Sequence, residues 1–290
     1  MLIQEEHIVE SLANPIRLSD YVPGKFTCKP SRSGMKKAIR KNLLLVDGIA
    51  GKTATFLMGG ETLQLLRDTP STPARAFHLD IPILYEDEDL AVISKPAGVE
   101  VSGNKFKTVE NALRQNLNPS ARADSLNMAQ AVHRIDYATS GALIIGKTSS
   151  SVSHLNKQFE QRTVGKRYIA IVIGEMPKEG SIRERVDGKP SFSYYRNLRS
   201  QISARFERLT LVELIPETGR RHQLRKHLLS IGHPILGDKL YFLPDMIFRG
   251  RGMFLHARSV SFDHPVTGKR MEFTAPLPNK YLRIFSDLNL

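Results

Sequence analysis

A proline-rich segment divides the chain into two parts of unequal length. Residues 68–82 read D-T-P-S-T-P-A-R-A-F-H-L-D-I-P, with three prolines among small polar residues. Proline fixes its own φ and lacks a backbone N–H, so such a segment disfavours helix and strand and suits a linker. We therefore predict a small N-terminal module over residues 12–70, a linker over 71–80 and a larger domain over 81–290.

The N-terminal part has the pattern of one helix followed by short strands. Ser31 is expected to cap a helix that carries residues 35–41. The apolar run 43–46 then predicts a strand that ends in the turn pair Asp47-Gly48. Further strands are expected over residues 53–58 and 62–66. This order predicts a small α/β module.

Positive charge is concentrated on and before the predicted helix. The chain has a formal net charge of +13, which favours polyanionic partners such as nucleic acid. A solvated helix face is the ordinary meaning of such a run, and a surface that contacts RNA phosphates is the alternative. The candidate RNA-binding residues of this module are Arg32, Lys36, Lys37, Arg40 and Lys41.

The larger domain mixes strand and helix patterns, with strands in excess. Apolar runs predict strands over residues 83–84, 90–93, 142–145, 168–173 and 209–215. Periodic apolar residues predict helices over 149–162 and 223–229, the second stopped by Gly232. Because hairpin-like returns are common, we expect an α+β domain with a largely antiparallel mixed sheet.

The cysteine count and the hydropathy exclude several classes of protein. The single cysteine, Cys28, allows neither a disulfide framework nor a cysteine-based zinc site within one chain. No apolar run approaches the roughly 18 residues of a membrane span, and the start of the chain has no signal-peptide core. We therefore expect a cytoplasmic protein that binds no membrane and no metal.

Residues 133–141 read H-R-I-D-Y-A-T-S-G and place Asp136 close to cationic side chains and before an apolar run. A partly desolvated carboxylate could act as a nucleophile or base. On residue chemistry alone, an aspartate that caps a turn and pairs with Arg134 is the simpler interpretation.

A family resemblance favours a catalytic role for Asp136 over this structural one. The string closely resembles the H-R-L-D-x-x-T-S-G signature of the RluA-type pseudouridine synthases, with Ile135 in place of leucine. Residues 95–98 (K-P-A-G), 166–168 (K-R-Y), 218–225 (T-G-R-R-H-Q-L-R), 232–238 (G-H-P-I-L-G-D) and 255–257 (L-H-A) match further motifs of that family in the right order. Together the matches cover about residues 81–278.

The resemblance implies an enzyme that isomerises uridine in RNA to pseudouridine without a cofactor. It assigns Asp136 as the essential nucleophile or base, Tyr168 as the residue beside the flipped base, and Arg225 as the ion-pair partner of Asp136. Without the resemblance, a strand aromatic packed in the core is the preferred interpretation of Tyr168, and Arg225 could be a phosphate clamp or a solvated helix cation. Arg134 would occupy the space that the flipped base leaves.

Arg220 and Arg221 precede the predicted helix 223–229, where anions are favoured, and we expect them to contact the RNA backbone. Arg221 stands where the family often has threonine. It would share a face with Arg225 if the helix started early enough. His133 is expected to be structural, and the turn 95–98 to lie near the site or to serve structure alone.

Residues 17–66 resemble the RNA-binding module named after ribosomal protein S4, through R-L at 17–18, S-R-S at 31–33, V-D-G at 46–48 and G-G-E at 59–61. This arrangement is similar to that of enzymes acting on large-subunit ribosomal RNA, so we expect that RNA to be the substrate. A monomer is expected because the sequence has no evident exposed apolar stripe. Transfer RNA is the alternative substrate. A non-catalytic RNA-binding assembly factor remains open. A DNA-binding protein or nuclease is disfavoured because the acidic run 86–89 fits an exposed turn better than a metal cluster.

Overall fold

The computed structural model describes residues 2–29, 31–67, 77–248 and 250–286. Two separate sheets carry most of this chain, one of four strands within residues 3–66 and one of ten strands within residues 83–274. Most of the proline-rich segment lies outside the described residues. The described part of the predicted linker, residues 77–80, has neither helix nor strand.

Within residues 2–29 and 31–67, the N-terminal part has six short strands and two helices. In chain order they are β1 (Ile3–Ile8), β2 (Ile16–Arg17), α1 (Leu18–Tyr21), α2 (Arg32–Arg40), β3 (Leu44–Val46), β4 (Ile49–Ala50), β5 (Phe56–Leu57) and β6 (Thr62–Leu66). The four-stranded sheet has the order β1-β6-β3-β4, and β2 pairs with β5 beside it.

Helix α2 forms where the sequence predicts it. The Ser31 hydroxyl accepts a hydrogen bond from the Gly34 N–H at 3.1 Å, which satisfies one of the unpaired donors of the first turn. The helix buries Met35, Ala38 and Ile39, whose spacing places them on one face. Its basic residues lie on the remaining surface, so the run of positive charge is compatible both with a solvated helix face and with a surface that contacts RNA phosphates.

Two details of this part differ from the sequence prediction. The strand expected over residues 53–58 is reduced to β5, because Lys52 and Thr55 close a turn in which the Thr55 N–H donates to the Lys52 carbonyl. Strand β1 precedes residue 12, yet it pairs along β6 and extends the sheet. Its sequence, I-Q-E-E-H-I, is mostly polar, so its apolar signal is too weak to predict a strand.

The described residues of the larger part form ten strands and four helices. In chain order they are β7 (Ile83–Glu86), β8 (Leu90–Lys95), α3 (Val109–Asn116), β9 (Ser125–Ala131), β10 (Ser140–Thr148), α4 (Ser149–Glu160), β11 (Gly165–Ile173), β12 (Glu179–Ile182), β13 (Ser193–Ser203), β14 (Glu207–Pro216), α5 (Gln223–Ser230), β15 (Leu255–Asp263), β16 (Arg270–Thr274) and α6 (Asn279–Leu282).

These strands form one sheet that is antiparallel except at a single junction of the described chain. The strand order is β12-β13-β14-β11-β15-β10-β8-β7, with β9 added on β10 and β16 on β15. Only β10 and β15 run parallel, and they do so over two residue pairs. The predicted α+β class with a largely antiparallel sheet is confirmed.

The centre of the sheet brings distant segments of the chain together. At the start of β10, Ser140 pairs with His256 and Gly141 pairs with both Ala257 and Lys95. Tyr168 on β11 pairs with Ala257 from the other side. Residues from β8, β10, β11 and β15 therefore meet within two strand spacings of the loop that precedes β10.

Within the described residues, no helix has both the length and the apolar character needed to cross a membrane.

Candidate active site

The loop between β9 and β10 is fixed by contacts at both of its ends. The His133 imidazole accepts the Ile144 N–H at 3.0 Å and stacks on Phe159 with ring centroids 4.8 Å apart. Burial lowers the pKa of His133 to about 3, so the ring stays neutral and can accept this hydrogen bond. These contacts agree with the structural role predicted for His133.

Asp136 lies in the tight turn of this loop. Its carbonyl oxygen accepts the Thr139 N–H at 3.0 Å, and the neighbouring Tyr137 carbonyl accepts the Gly98 N–H at 2.7 Å. The turn at residues 95–98 is therefore hydrogen-bonded directly to the Asp136 loop. Of the two interpretations of that turn, its position supports the one near the site.

Asp136 and Arg225 are in contact, as the sequence predicts. Nη1 of Arg225 donates to Oδ2 of Asp136 at 3.3 Å, although 89 residues separate them in the chain. Arg225 is buried on α5, and its side chain is 6% exposed against 17% for that of Asp136. The carboxylate is thus the more accessible partner of the pair. The alternative of Arg225 as a solvated helix cation does not fit this burial.

A second carboxylate holds the other edge of the same guanidinium. Nε and Nη2 of Arg225 donate to the two oxygens of Asp238 at 2.6 and 2.7 Å. This fork-on-fork geometry is the strongest arrangement that the two groups can form. The ring of Tyr241 lies against the guanidinium, with its centroid 4.8 Å from Cζ.

His222 completes the group around Asp136. It is the N-cap of α5 with a φ of +56°, so the helix begins after it and Arg221 lies outside the helix. Its Nε2 is 3.8 Å from Oδ1 of Asp136, and its Nδ1 is 3.0 Å from the Tyr241 hydroxyl. The expected helical face shared by Arg221 and Arg225 is therefore absent, because the helix starts too late.

Two cavities meet at Asp136. The larger, of about 1020 Å³, also has Lys95, Arg221, Arg225 and Lys280 in its wall. The smaller, of about 370 Å³, contains Tyr168 and the motif residues 218–225. Positive side chains outnumber negative ones around both cavities, so the site suits an anionic polymer whose backbone follows the larger cleft.

Arg134, Arg220 and Arg221 lie at the mouths of these cavities. Arg134 and Arg221 are exposed and line both of them. Arg220 lines the smaller cavity, where its backbone N–H donates to the Gln223 side chain at 3.0 Å. The structure thus brings all three near Asp136, whereas the basic residues of α2 lie in the separate N-terminal part.

Tyr168 stands at an irregularity in the sheet. The register between β11 and β15 shifts between Arg167 and Tyr168, and such bulges often redirect a side chain beside a functional site. The half-buried ring packs against two hydrophobic clusters, one that contains Ile169 and Leu224 and one that contains Ile93 and Leu143, and it lines the smaller cavity. Burial, and then the charge of Asp136, raise the pKa of the phenol, so it keeps its proton at neutral pH.

Lys95 is fully buried beneath the Asp136 loop. Its ammonium donates to the carbonyl oxygens of Pro96 and Val99, both at 2.8 Å, and so closes the turn that braces Tyr137. Burial lowers the pKa of Lys95 to about 8, and the nearby charge of Asp136 opposes that change. The ammonium is thus a second buried cation close to the carboxylate.

Two further polar groups border Asp136. The hydroxyl of Ser140 and Nδ1 of the buried His256 are 2.9 Å apart, in the wall of the larger cavity. The hydroxyl of Thr139 is buried beside the smaller cavity and has no hydrogen-bond partner among the described residues. A polar atom in that position is available to a ligand or an ordered water.

The acidic turn before β8 is not the exposed turn that the sequence suggested. Asp89 is buried, and its carboxylate binds Arg122 at 3.1 Å. The carboxylate of Asp87 accepts the Tyr85 hydroxyl at 2.7 Å and lies 2.8 Å from His264. Asp87, Asp89 and His264 could by spacing hold a metal ion, but protein donors already occupy both oxygens of Asp87, Oδ2 of Asp89 and Nδ1 of His264, so we interpret the three as a structural network.

Three members of the site, namely Asp238, His222 and Tyr241, were not predicted from the sequence. The first two lie inside strings that were matched to family motifs, which was the available signal, although no role could be attached to them. Tyr241 lies three residues beyond the last of those strings. Their contacts with Arg225 and Asp136 join segments that are distant in the chain.

Comparison with known proteins defines the class of the fold and then the family. The human RNA pseudouridylate synthase domain containing 1 structure superposes with a TM-score of 0.56 at 22% identity, over 72% of this chain and 96% of that one. The larger part is therefore a pseudouridylate synthase fold. The family model described as RNA pseudouridylate synthase matches residues 89–230.

Two curated relatives extend the match over most of the chain. Ribosomal large subunit pseudouridine synthase D of Nitrosomonas europaea is 34% identical, covering 86% of this chain and 78% of the relative. Ribosomal large subunit pseudouridine synthase C of Vibrio cholerae is 35% identical, covering 74% and 73%. The chain belongs to the RNA pseudouridylate synthase family. The predicted enzyme class, an isomerase that converts uridine in RNA to pseudouridine, is confirmed.

Proposed function

We propose that this enzyme isomerises uridines of large-subunit ribosomal RNA, with Asp136 as the reacting carboxylate. The observation that carries the proposal is the position of Asp136 where two basic cavities meet, with its Oδ2 bound by Arg225. Among the described residues no side chain or N–H donates a hydrogen bond to Oδ1. That oxygen is available to a ribose or a base that enters the site.

The surrounding residues have distinct roles in this proposal. Arg225 orients Asp136 and supports its negative charge, because a guanidinium stays protonated at neutral pH. Tyr168 lies beside the flipped uracil ring and stacks on it, since its ring lines the smaller cavity next to Asp136. Arg134, exposed at the mouths of both cavities, enters the space that the flipped base leaves in the RNA.

Phosphate contacts are assigned to Arg220 and Arg221 and to the N-terminal part. There, Arg17, Lys36 and Arg40 surround a hollow of about 390 Å³, a size and charge that suit RNA phosphates. Lys37 and Lys41 lie on exposed surface nearby, and Arg32 is ion-paired with Asp20. We assign this part the docking role suggested by its resemblance to the S4-type module.

The catalytic assignment is tested with Asp136→Asn. Isomerisation releases the C5 hydrogen of uridine, so tritium release from RNA labelled at C5 measures turnover. We expect no release by the variant, together with an unchanged RNA dissociation constant and an unchanged thermal unfolding temperature. Full activity would refute the role of Asp136. Inactivity of the unmodified protein on every RNA would instead favour a non-catalytic RNA-binding assembly factor.

The choice of RNA is tested separately. The names of the relatives support large-subunit ribosomal RNA, and transfer RNA is the alternative. Pseudouridine mapping in total RNA from a strain without this gene should show losses confined to large-subunit RNA, restored by the intact gene and not by its Asp136→Asn form. Losses in transfer RNA would reverse the assignment. A cytoplasmic location and a monomeric state remain predictions of the sequence.

The docking role is tested by removing residues 1–76. We expect weaker binding to a large RNA fragment and a shallower dependence of affinity on salt, because each lost phosphate contact lowers the salt slope by about 0.9. Lys36→Ala with Arg40→Ala should produce part of the same change in the full chain. Unchanged affinity and slope in both proteins would exclude this part as the docking element.

A further inference from the structure

Asp238 is a buried carboxylate with an unusual concentration of hydrogen bonds. Its side chain is 0% exposed, and it binds Arg225 through both oxygens. Oδ1 also accepts the backbone N–H groups of Leu240 at 2.9 Å and Tyr241 at 3.2 Å. A charge is tolerated in such a place only when its oxygens are well paired, and here they are.

The contacts with Asp238 determine which nitrogen reaches Asp136. A guanidinium carries five N–H groups in one plane, and Asp238 occupies the edge formed by Nε and Nη2. The ring of Tyr241 covers one face of that plane. Only Nη1 is then directed to Asp136, and it makes one contact of 3.3 Å, longer than either bond to Asp238.

The charges of Arg225, Asp136 and Asp238 do not balance. Two carboxylates share one guanidinium, and Asp238 holds it by two bonds while Asp136 holds it by one. The positive charge of Arg225 is therefore mainly balanced by Asp238. Among the described residues Asp136 thus retains an oxygen without a hydrogen-bond donor, as a nucleophile or base requires.

Asp238 is itself held rigidly against the sheet. Gly237 has a φ of +79° and approaches Gly252 so closely that an added Cβ would lie 2.1 Å from the Gly252 carbonyl oxygen. The preceding Leu236 N–H donates to the Ile171 carbonyl on β11 at 2.8 Å. A carboxylate fixed in this way can orient another side chain within a narrow range.

From these contacts we propose that Asp238, together with the Tyr241 ring, is a positioning residue of the reaction. It turns Arg225 so that Asp136 receives a single hydrogen bond and stays free to react. This inference rests on the proposed role of Asp136. Without Asp238 the guanidinium would rotate and bind both oxygens of Asp136, which would occupy the reacting group.

The experiment compares Asp238→Asn with a matched variant in single-turnover tritium release. The asparagine has the same shape but lacks the charge, so we expect the rate to fall about 100-fold with an RNA dissociation constant within about twofold of the original. Glu86→Gln breaks the buried ion pair with Lys147, where Nζ and Oε1 are 2.8 Å apart, outside both cavities. It should lower stability while leaving the rate of the folded enzyme unchanged.

A double-mutant cycle distinguishes positioning from a general loss of structure. In an Arg225→Met background, Asp238→Asn should cause no further fall in rate, because Asp238 acts through Arg225. Equal falls in both backgrounds would overturn the proposal, as would a full rate for Asp238→Asn. If Asp238→Asn does not fold, Tyr241→Leu tests the same restraint. It should slow turnover about tenfold at unchanged RNA affinity, and an unchanged rate would overturn the proposal.

The same assay separates failure of this inference from failure of the proposed function. The unaltered enzyme and Asp136→Asn are measured alongside the other variants. If the unaltered enzyme releases no tritium, or Asp136→Asn remains active, the proposed function fails. If both behave as expected and Asp238→Asn is fully active, only the inference about Asp238 fails.

Discussion

Gly141 lies so close to Ala257 that a Cβ atom added to the glycine would come within 2.1 Å of the Ala257 carbonyl oxygen. This contact is at the parallel junction of β10 and β15, directly after the Asp136 loop. The φ of Gly141 is +117°, a conformation that other residues rarely adopt. The glycine therefore permits both the strand junction and the approach of the loop to the sheet.

Gly141→Ala should accordingly destabilise the protein by about 4 kcal/mol or more, since a backbone clash adds to the strain of a positive φ. Urea unfolding followed by circular dichroism measures this change. Gly60 is a matched control, because its φ is +95° and an added Cβ would meet no atom within 4 Å. Gly60→Ala should lose only about 1–3 kcal/mol. Equal losses at both positions would show that the contact with Ala257 contributes little.

Local sequence patterns were sufficient to predict much of the fold. The predicted helices 149–162 and 223–229 appear as α4 and α5, and the apolar runs appear within β7, β8, β10, β11 and β14. These elements bury one or both faces, so their apolar periodicity is strong. Strand β13 was not predicted because it reads S-Y-Y-R-N-L-R-S-Q-I-S and many of its side chains are polar and partly exposed. Its pairing with β14 stabilises it instead.

Sequence motifs predicted only part of the site. The ion pair of Asp136 with Arg225 followed from the family resemblance, and the structure contains it. The position of Asp238 depends on how the loop before β15 packs on β11, a tertiary arrangement without local signal in the sequence. For the same reason, the unpaired Thr139 hydroxyl and the buried ammonium of Lys95 could be recognised only in the folded chain.

Arg225→Lys tests the need for a planar cation at the centre of the site. A lysine ammonium cannot form the fork with Asp238 and also reach Asp136 in the same plane, so the exchange is not conservative. We expect the single-turnover rate to fall at least about 100-fold, which corresponds to ~2.7 kcal/mol in the barrier. RNA affinity should change little, because Arg225 is buried. Filter binding and tritium release measure the two quantities, and a near-normal rate would refute the importance of the fork.

His256 should make the stability of the enzyme depend on pH. Burial lowers its pKa from 6.5 to about 4, although the Ala275 carbonyl opposes this change. Between these values the unfolded chain binds a proton that the folded chain does not, so stability is lost as the pH falls from about 6.5 to about 4. One such group contributes a slope of about 1.4 kcal/mol per pH unit.

Replacing His256 by glutamine should therefore reduce that slope by about 1.4 kcal/mol per pH unit. The free energy of unfolding in urea, measured at intervals from pH 6.5 to 4.5, gives the slope for both proteins. The variant will retain some dependence, because burial also lowers the pKa of His133 to about 3. Identical slopes in the two proteins would mean that His256 is protonated to the same extent in the folded and unfolded states.

Lys95 should set the alkaline limit of activity. Its pKa is lowered to about 8 by burial, so the ammonium beside Asp136 loses its proton as the pH rises through that value. The neutral amine can still donate to the Pro96 and Val99 carbonyls, but the positive potential near the carboxylate disappears. We expect kcat/KM for tritium release to decline with a midpoint near pH 8. Lys95→Met should be slow at every pH and should lack this decline.

Lys280 provides the control for that assignment, because it lines the same cleft and burial also lowers its pKa to about 8. Its ammonium donates to the Met253 carbonyl and lies 4.4 Å from the Phe254 ring centroid, on a different part of the wall. Lys280→Gln should keep the decline near pH 8 if Lys95 causes it. If the decline is lost in Lys280→Gln and persists in Lys95→Met, Lys280 causes the alkaline limit of activity. Lys95 would then have a purely structural role beneath the Asp136 loop.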